Sequence, residues 1–353
     1  RSIEDLSKIR EGDVLVTTMT NPDMVVTMQK ASAIVTSEGG ITAHASIVSR
    51  EMGIPAVVGT ENALAVLEEG QVVTVDGNTG KVYLGRAENK SVEILPIVKG
   101  TKIKIKVMVD LPQFAERASK TDCYGIGLLR LEGIIASSKK HPLAFEQEGK
   151  LDEYKEFLKK GLLKIADAFI GKPIWVRTSD IRSDEYSNLE GAPKEIEKNP
   201  MLGDHGIRFS LKHPEILKAE LKAIKELAEK GHKFGVMFPQ IISVEEVRQA
   251  KKIFKELNMS KVTFGIMIET PAACTIIKDL CEEGLDFVSF GTNDLTQYTL
   301  AIDRGNENVQ NIYDEMNPAV LKQISRVIRE CRTHKIQTSI CGQAGSKPEM
   351  VEY

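Results

Sequence analysis

Two groups of residues in the sequence are suited to chemistry. The first is Gly39-Gly40-Ile41-Thr42-Ala43-His44-Ala45-Ser46. Paired glycines let a backbone approach a ligand closely, and a helix that starts just after them offers unpaired N–H groups to a phosphate. His44 stands at that start. An imidazole is a competent nucleophile toward a phosphoryl group and a good leaving group afterwards. A capping or buried structural histidine would suit the same position, so both readings stand.

The second group is scattered: Arg130, Arg177, Glu269, the run Gly291-Thr292-Asn293-Asp294, Arg304 and Cys341. Guanidinium forks bind phosphate or carboxylate through two hydrogen bonds at once. Glu269 and Asp294 are hard oxygen donors that could hold Mg²⁺. A thiol can exchange a proton, and at an ordinary thiol pKa of about 8.5 Cys341 would serve as acid or base near neutrality. Singly, each has a bland reading. An arginine at a strand end usually makes a surface salt bridge, and a lone cysteine is usually a small core residue, as expected of Cys274 and Cys281.

What gives the second group meaning is the set of elements that must position it. From Lys102 onward, strands alternate with amphipathic helices. The expected strands are Ile103–Asp110, Gly125–Arg130, Ile174–Ser179, Phe234–Pro239, Thr263–Glu269, Phe287–Gly291 and Thr338–Cys341. Such alternation implies a parallel sheet, and the segment's length approaches the roughly 250 residues of a (β/α)₈ barrel. Chemistry in that fold sits at the C-terminal strand ends, where the scattered residues fall. Seven strands are expected, and too little sequence follows Cys341 for an eighth.

Residues 1–95 read as a separate small β-rich domain. Strands are expected at Asp13–Thr17, Ala33–Thr36, Ala56–Val58 and Gln71–Asp76, with a helix over Ala43–Met52 ended by Gly53-Ile54-Pro55. Asp76-Gly77-Asn78-Thr79-Gly80 reads as a hairpin turn into Lys81–Leu84. A linker is expected at about 86–100, so the domains are 1–95 and 96–353.

Composition narrows the classes. The chain has 353 residues, 42% hydrophobic and 27% charged, with a net charge of −3. That balance excludes disorder and gives no general pull toward nucleic acid or anionic membrane. No apolar run is long enough to span a bilayer. The five cysteines form no CxxC pair, so a reducing cytoplasm is expected rather than a disulfide framework or zinc site. The chain starts at Arg1 without Met, and we expect it to be part of a longer or processed protein.

The motifs together resemble the phosphoenolpyruvate-utilising enzymes. Gly39 to Ser46 looks like their phosphohistidine motif. Gly265-Ile266-Met267-Ile268-Glu269-Thr270-Pro271, Phe290 to Gln297, Asp303-Arg304-Gly305-Asn306 and Cys341-Gly342-Gln343-Ala344 look like their barrel signatures. The stretch Arg177 to Gly191 and the Cys-Gly-Gln-Ala ending are similar to the synthase branch (pyruvate, water dikinases) more than to pyruvate phosphate dikinase or enzyme I of the sugar phosphotransferase system.

The resemblance implies a swivelling β/β/α phosphohistidine domain followed by a TIM barrel. It implies that His44 carries a phosphoryl group derived from ATP, and that the barrel binds pyruvate or phosphoenolpyruvate. Mg²⁺ would sit on Glu269 and Asp294, with Gly291, Thr292, Asn293, Arg130, Arg177 and Arg304 completing the substrate site and Cys341 moving the methyl proton. It also implies an ATP-binding domain outside residues 1–353, pairing of barrels into a homo-oligomer, and a regulatory phosphorylation position at Thr42. A Mg²⁺-dependent pyruvate lyase or aldolase is the competing class. It would hold an enolate with the same carboxylates but have no use for His44. A third class is a non-catalytic phosphocarrier that keeps the barrel for assembly.

Overall fold

The computed structural model describes residues 8–20, 24–40, 43–87, 96–97, 101–306 and 308–353. The chain divides into two compact units, Arg1–Leu95 and Pro96–Tyr353. In the first, β1 (Val14–Thr17), β2 (Ala33–Thr36) and β3 (Ala56–Val57) form a parallel sheet in that order. β2 is its central strand and is buried along its whole length. β4 (Val73–Asp76) and β5 (Lys81–Leu84) make the expected hairpin. Its turn is held by Asp76 Oδ1, which accepts the N–H of Asn78 at 3.0 Å and of Thr79 at 3.3 Å. A helix runs from His44 to Met52 and ends at Gly53, whose φ of 68° is readily open only to glycine.

The second unit is a seven-stranded, all-parallel sheet in sequence order: β6 (Val107–Met108), β7 (Ile126–Arg130), β8 (Pro173–Arg177), β9 (Lys233–Phe238), β10 (Thr263–Ile268), β11 (Phe287–Phe290) and β12 (Gln337–Ile340). All seven expected strands exist. The first is much shorter than its expected range. β6 is an edge strand, and Ile103 and Ile105 before it are exposed rather than paired into a core. No eighth strand follows β12 among the described residues, so the sheet ends at β6 and β12.

The sheet curls around an interior. Trp175 on β8 and Phe287 on β11 stack with ring centroids 3.9 Å apart. In a flat sheet these strands would lie about 14 Å apart, three steps of about 4.8 Å. The intervening strands carry Gly235 and Gly265. A Cβ on Gly235 would meet Trp175 Cδ1 at 2.8 Å, and one on Gly265 would meet the Phe287 ring at 2.5 Å. Glycine here makes room for the stack. Leu128, Met237 and Met267 fill the rest of this inner layer, with Cys341 packed against it. Lys106, just before β6, lays its ammonium over the Trp175 ring, 3.0 Å from the centroid. The larger core lies outside, between the sheet and helices such as Leu151–Ala168 and Pro214–Glu229. Their apolar positions recur at helical spacing, for example Leu217, Leu221 and Ile224.

Candidate active site

The scattered residues meet at one end of the curled sheet because parallel strands point the same way. Arg130 and Arg177 are the last residues of β7 and β8 and are register partners. Glu269 follows β10, Gly291 follows β11 and Cys341 follows β12. Thr292, Asn293 and Asp294 form the first turn of the helix Thr292–Leu300.

Each arginine is held by a carboxylate. Arg130 Nε donates to Asp110 Oδ2 at 2.5 Å, and its backbone N–H donates to Oδ1 at 2.8 Å. Arg177 Nη2 donates to Glu132 Oε1 at 2.7 Å, while Nη1 lies 3.4 Å from Asp180 Oδ2. Arg304 Nη2 lies 3.3 Å from Asp294 Oδ1. Long flexible side chains thus become fixed donors, so a ligand need not order them on binding.

Glu269 and Asp294 are joined through Gln240. Its backbone N–H donates to Glu269 Oε1 at 2.7 Å, and its Nε2 reaches Asp294 Oδ2 at 3.4 Å. Glu269 is almost fully buried. Burial, together with the charges of Asp294 and Asp180, pushes its carboxyl up to about 8 against the pull of Arg177. Asp294 Oδ1 accepts no hydrogen bond among the described residues. A buried and a half-buried carboxylate that repel each other suit a small divalent cation bound by one or two protein oxygens, with water and substrate supplying the rest. A Cβ on Gly291 would lie 2.6 Å from Glu269 Oε2, so only glycine leaves that oxygen clear.

Cys341 Sγ donates to the Phe290 carbonyl at 3.3 Å. Burial pushes the thiol up to about 11, although Ser289, Arg177 and Arg130 pull the other way. The expectation of an ordinary thiol pKa is therefore not met: at neutral pH Cys341 is a protonated acid. Asn293 Oδ1 accepts the Gln343 N–H at 2.9 Å, tying the Cys341–Ala344 turn to the helix start. Thr292 is buried, and its hydroxyl has no hydrogen-bond partner among the described residues.

The chain matches the PEP-binding domain of PEP-utilising enzymes over residues 86–353 and their mobile domain over residues 9–80. The chain belongs to the PEP-utilising enzymes. It is 51% identical to a probable phosphoenolpyruvate synthase of Archaeoglobus fulgidus over 99% of this chain and 48% of that one. It is also 51% identical to the phosphoenolpyruvate synthase of Pyrococcus furiosus (98% and 44%) and 38% identical to that of Aeropyrum pernix (99% and 46%). The chain spans about half the length of the curated relatives it matches.

In the first unit, Ala43 precedes the helix that His44 opens and supplies no side-chain cap. Ser46 Oγ donates to the Gly40 carbonyl at 2.9 Å, and Gly39 takes a φ of 101°. Thr42 and Ile41 lie outside the described residues.

Sequence reasoning missed Asp110, Glu132, His205 and Gln240 as site residues. Asp110 ends an expected strand and Glu132 lies two residues after Arg130, so the strand-end rule could have found both. Gln240 likewise follows Pro239. His205 carried no such signal.

Proposed function

We propose that the chain holds two stations of a phosphotransferase that makes phosphoenolpyruvate from pyruvate: His44 as phosphoryl carrier and the seven-stranded unit as pyruvate site. In the longer protein the net reaction would be ATP, pyruvate and water to AMP, phosphoenolpyruvate and orthophosphate. The observation that carries this reading is the gathering of Arg130, Arg177, Arg304, Glu269, Asp294 and Cys341 at one end of one parallel sheet.

Arg130, Arg177 and Arg304 would bind the carboxylate and the transferring phosphoryl group, meeting the charge spread over its equatorial oxygens in the transition state. Glu269 and Asp294 would hold Mg²⁺, which supplies positive charge to the enolate oxygen of pyruvate. Cys341 as thiolate would take a methyl proton from pyruvate, and the enolate oxygen would then attack phosphorus on His44, whose Nε2 or Nδ1 leaves. In reverse, the Cys341 thiol returns a proton to C3.

The test is transfer of label from [³²P]phosphoenolpyruvate to the protein with Mg²⁺ present. Wild type should gain acid-labile label and H44A should gain none. Equal labelling of the two would reject His44 as the carrier.

A further inference from the structure

We propose that His205 is a buried imidazolium in the folded protein and acts as a positioning residue, holding Asp180 and through it Arg177 in the anion-binding set. The positioning half rests on the functional reading above; the charge state does not.

The argument starts from the two ring nitrogens. Nδ1 lies 2.7 Å from Asp180 Oδ1, and Nε2 lies 2.9 Å from the Met201 carbonyl oxygen. Both partners are acceptors. A neutral imidazole carries one N–H and one lone pair, so one contact would set lone pair against lone pair. Only the doubly protonated ring satisfies both. A proton on Asp180 instead would leave Arg177, 3.4 Å from its Oδ2, facing a neutral acid. Burial disfavours the Asp180 anion, but Arg177 and the His205 bond outweigh it and hold the carboxyl down at about 2. Burial likewise opposes the His205 charge, and the bond to Asp180 overcomes that and raises its pKa.

His205 is fully buried, so no water can replace either partner. The loop after β8 presents Asp180 and, opposing the ring's charge, Arg182. Arg182 is itself paired with Glu185 and lies 3.4 Å from Asp184. The turn Pro200–Leu202 presents the Met201 carbonyl. The loop after β9 presents the uncharged Gln240, close to Gly206.

The consequence runs toward the arginine. Asp180 is fixed from two sides, by His205 on its carboxylate and by its own N–H, which donates to Glu132 Oε1 at 2.6 Å. That same Glu132 oxygen accepts from Arg177. If the ring loses its proton, the contact to Met201 turns repulsive, Asp180 loses a charged partner, and one of the two carboxylates aligning Arg177 is loosened.

Selective ¹⁵N-histidine NMR on chain 1–353 reads the charge directly. The resonance that disappears in H205Q, or shifts in D180N should H205Q not fold, is expected to carry two ring protons at about pH 7.5, where a free histidine is about one-tenth protonated. A neutral ring there overturns the proposal. Calorimetric titration with phosphoenolpyruvate reads the positioning. Wild-type affinity should fall as pH rises through the raised histidine pKa. H205Q should bind about tenfold more weakly at neutral pH and show a smaller alkaline decline, the remainder coming from the ionisation of Glu269 near 8. Equal affinity and an identical pH profile in both overturn the positioning role. If wild type shows both ring protons but no phosphoenolpyruvate binding, the functional reading fails and the charge assignment holds.

Discussion

The backbone N–H of Gln240 donates to Glu269 Oε1 at 2.7 Å from a residue held at φ 60°. A left-handed conformation at a residue other than glycine costs about 1–2 kcal/mol. What it achieves here is to aim the N–H at the buried Glu269 carboxylate and the side-chain amide at the half-buried carboxylate of Asp294. Gln240→Ala keeps the backbone bond and removes the amide from Asp294 and from Tyr298, whose hydroxyl lies 3.1 Å from Gln240 Oε1 and 2.7 Å from the Met201 carbonyl oxygen. Mg²⁺ affinity, measured by calorimetric titration, should weaken about tenfold. Unchanged affinity would show that Gln240 only packs.

Cation binding should depend on pH through Glu269. Its carboxyl keeps a proton up to about 8, and only the ionised form ligates. Below that value each unit of falling pH should weaken binding by up to tenfold, roughly 1.4 kcal/mol. The metal-free protein should show the opposite trend in stability. The folded state binds this proton more tightly than the unfolded one, so stability falls as pH rises from the ordinary glutamate range toward about 8. Thermal melts with and without Mg²⁺ check both signs. A pH-independent Mg²⁺ shift in Tm would refute the assignment of Glu269.

On the proposed reading, Cys341 would move the proton at the pyruvate methyl. With the thiol held near 11, exchange of the pyruvate methyl protons into heavy water should rise about tenfold per pH unit across neutrality, following the thiolate fraction. Cys341→Ala should lower that exchange by about 10²- to 10⁴-fold while leaving label uptake on His44 less affected. Proton exchange at the wild-type rate in the variant, followed by NMR, would remove Cys341 from the mechanism.

The inner stack of Trp175 on Phe287 depends on glycine at 265. A Cβ there would lie 2.5 Å from the ring, so Gly265→Ala should destabilise by about 1–3 kcal/mol. Adding Phe287→Leu should recover part of that loss by freeing the space. Urea unfolding of the single and double variants measures the coupling. Strict additivity of the two effects would show that the ring and residue 265 do not compete for space.

The number and order of the strands were legible in the sequence because they rest on local signals: runs of apolar residues, helical spacing, and glycine or proline at the breaks. The strand-end placement of Arg130, Glu269 and Cys341 followed from that, since a parallel sheet points every C-terminal end one way. The shortness of β6 was not legible, because edge exposure depends on whether a neighbouring strand exists.

The residues themselves determined which chemistry is available: guanidinium forks, a carboxylate pair, a thiol and a histidine beside paired glycines. Only the tertiary structure decided how those groups are charged and held. Arg177 is clamped by Glu132 from a different strand end, and Asp180 by His205 across a loop. Glu269 and Cys341 are pushed to high proton affinity by burial. Electric fields act through space and solvent exclusion, and both depend on which distant segments the fold brings together.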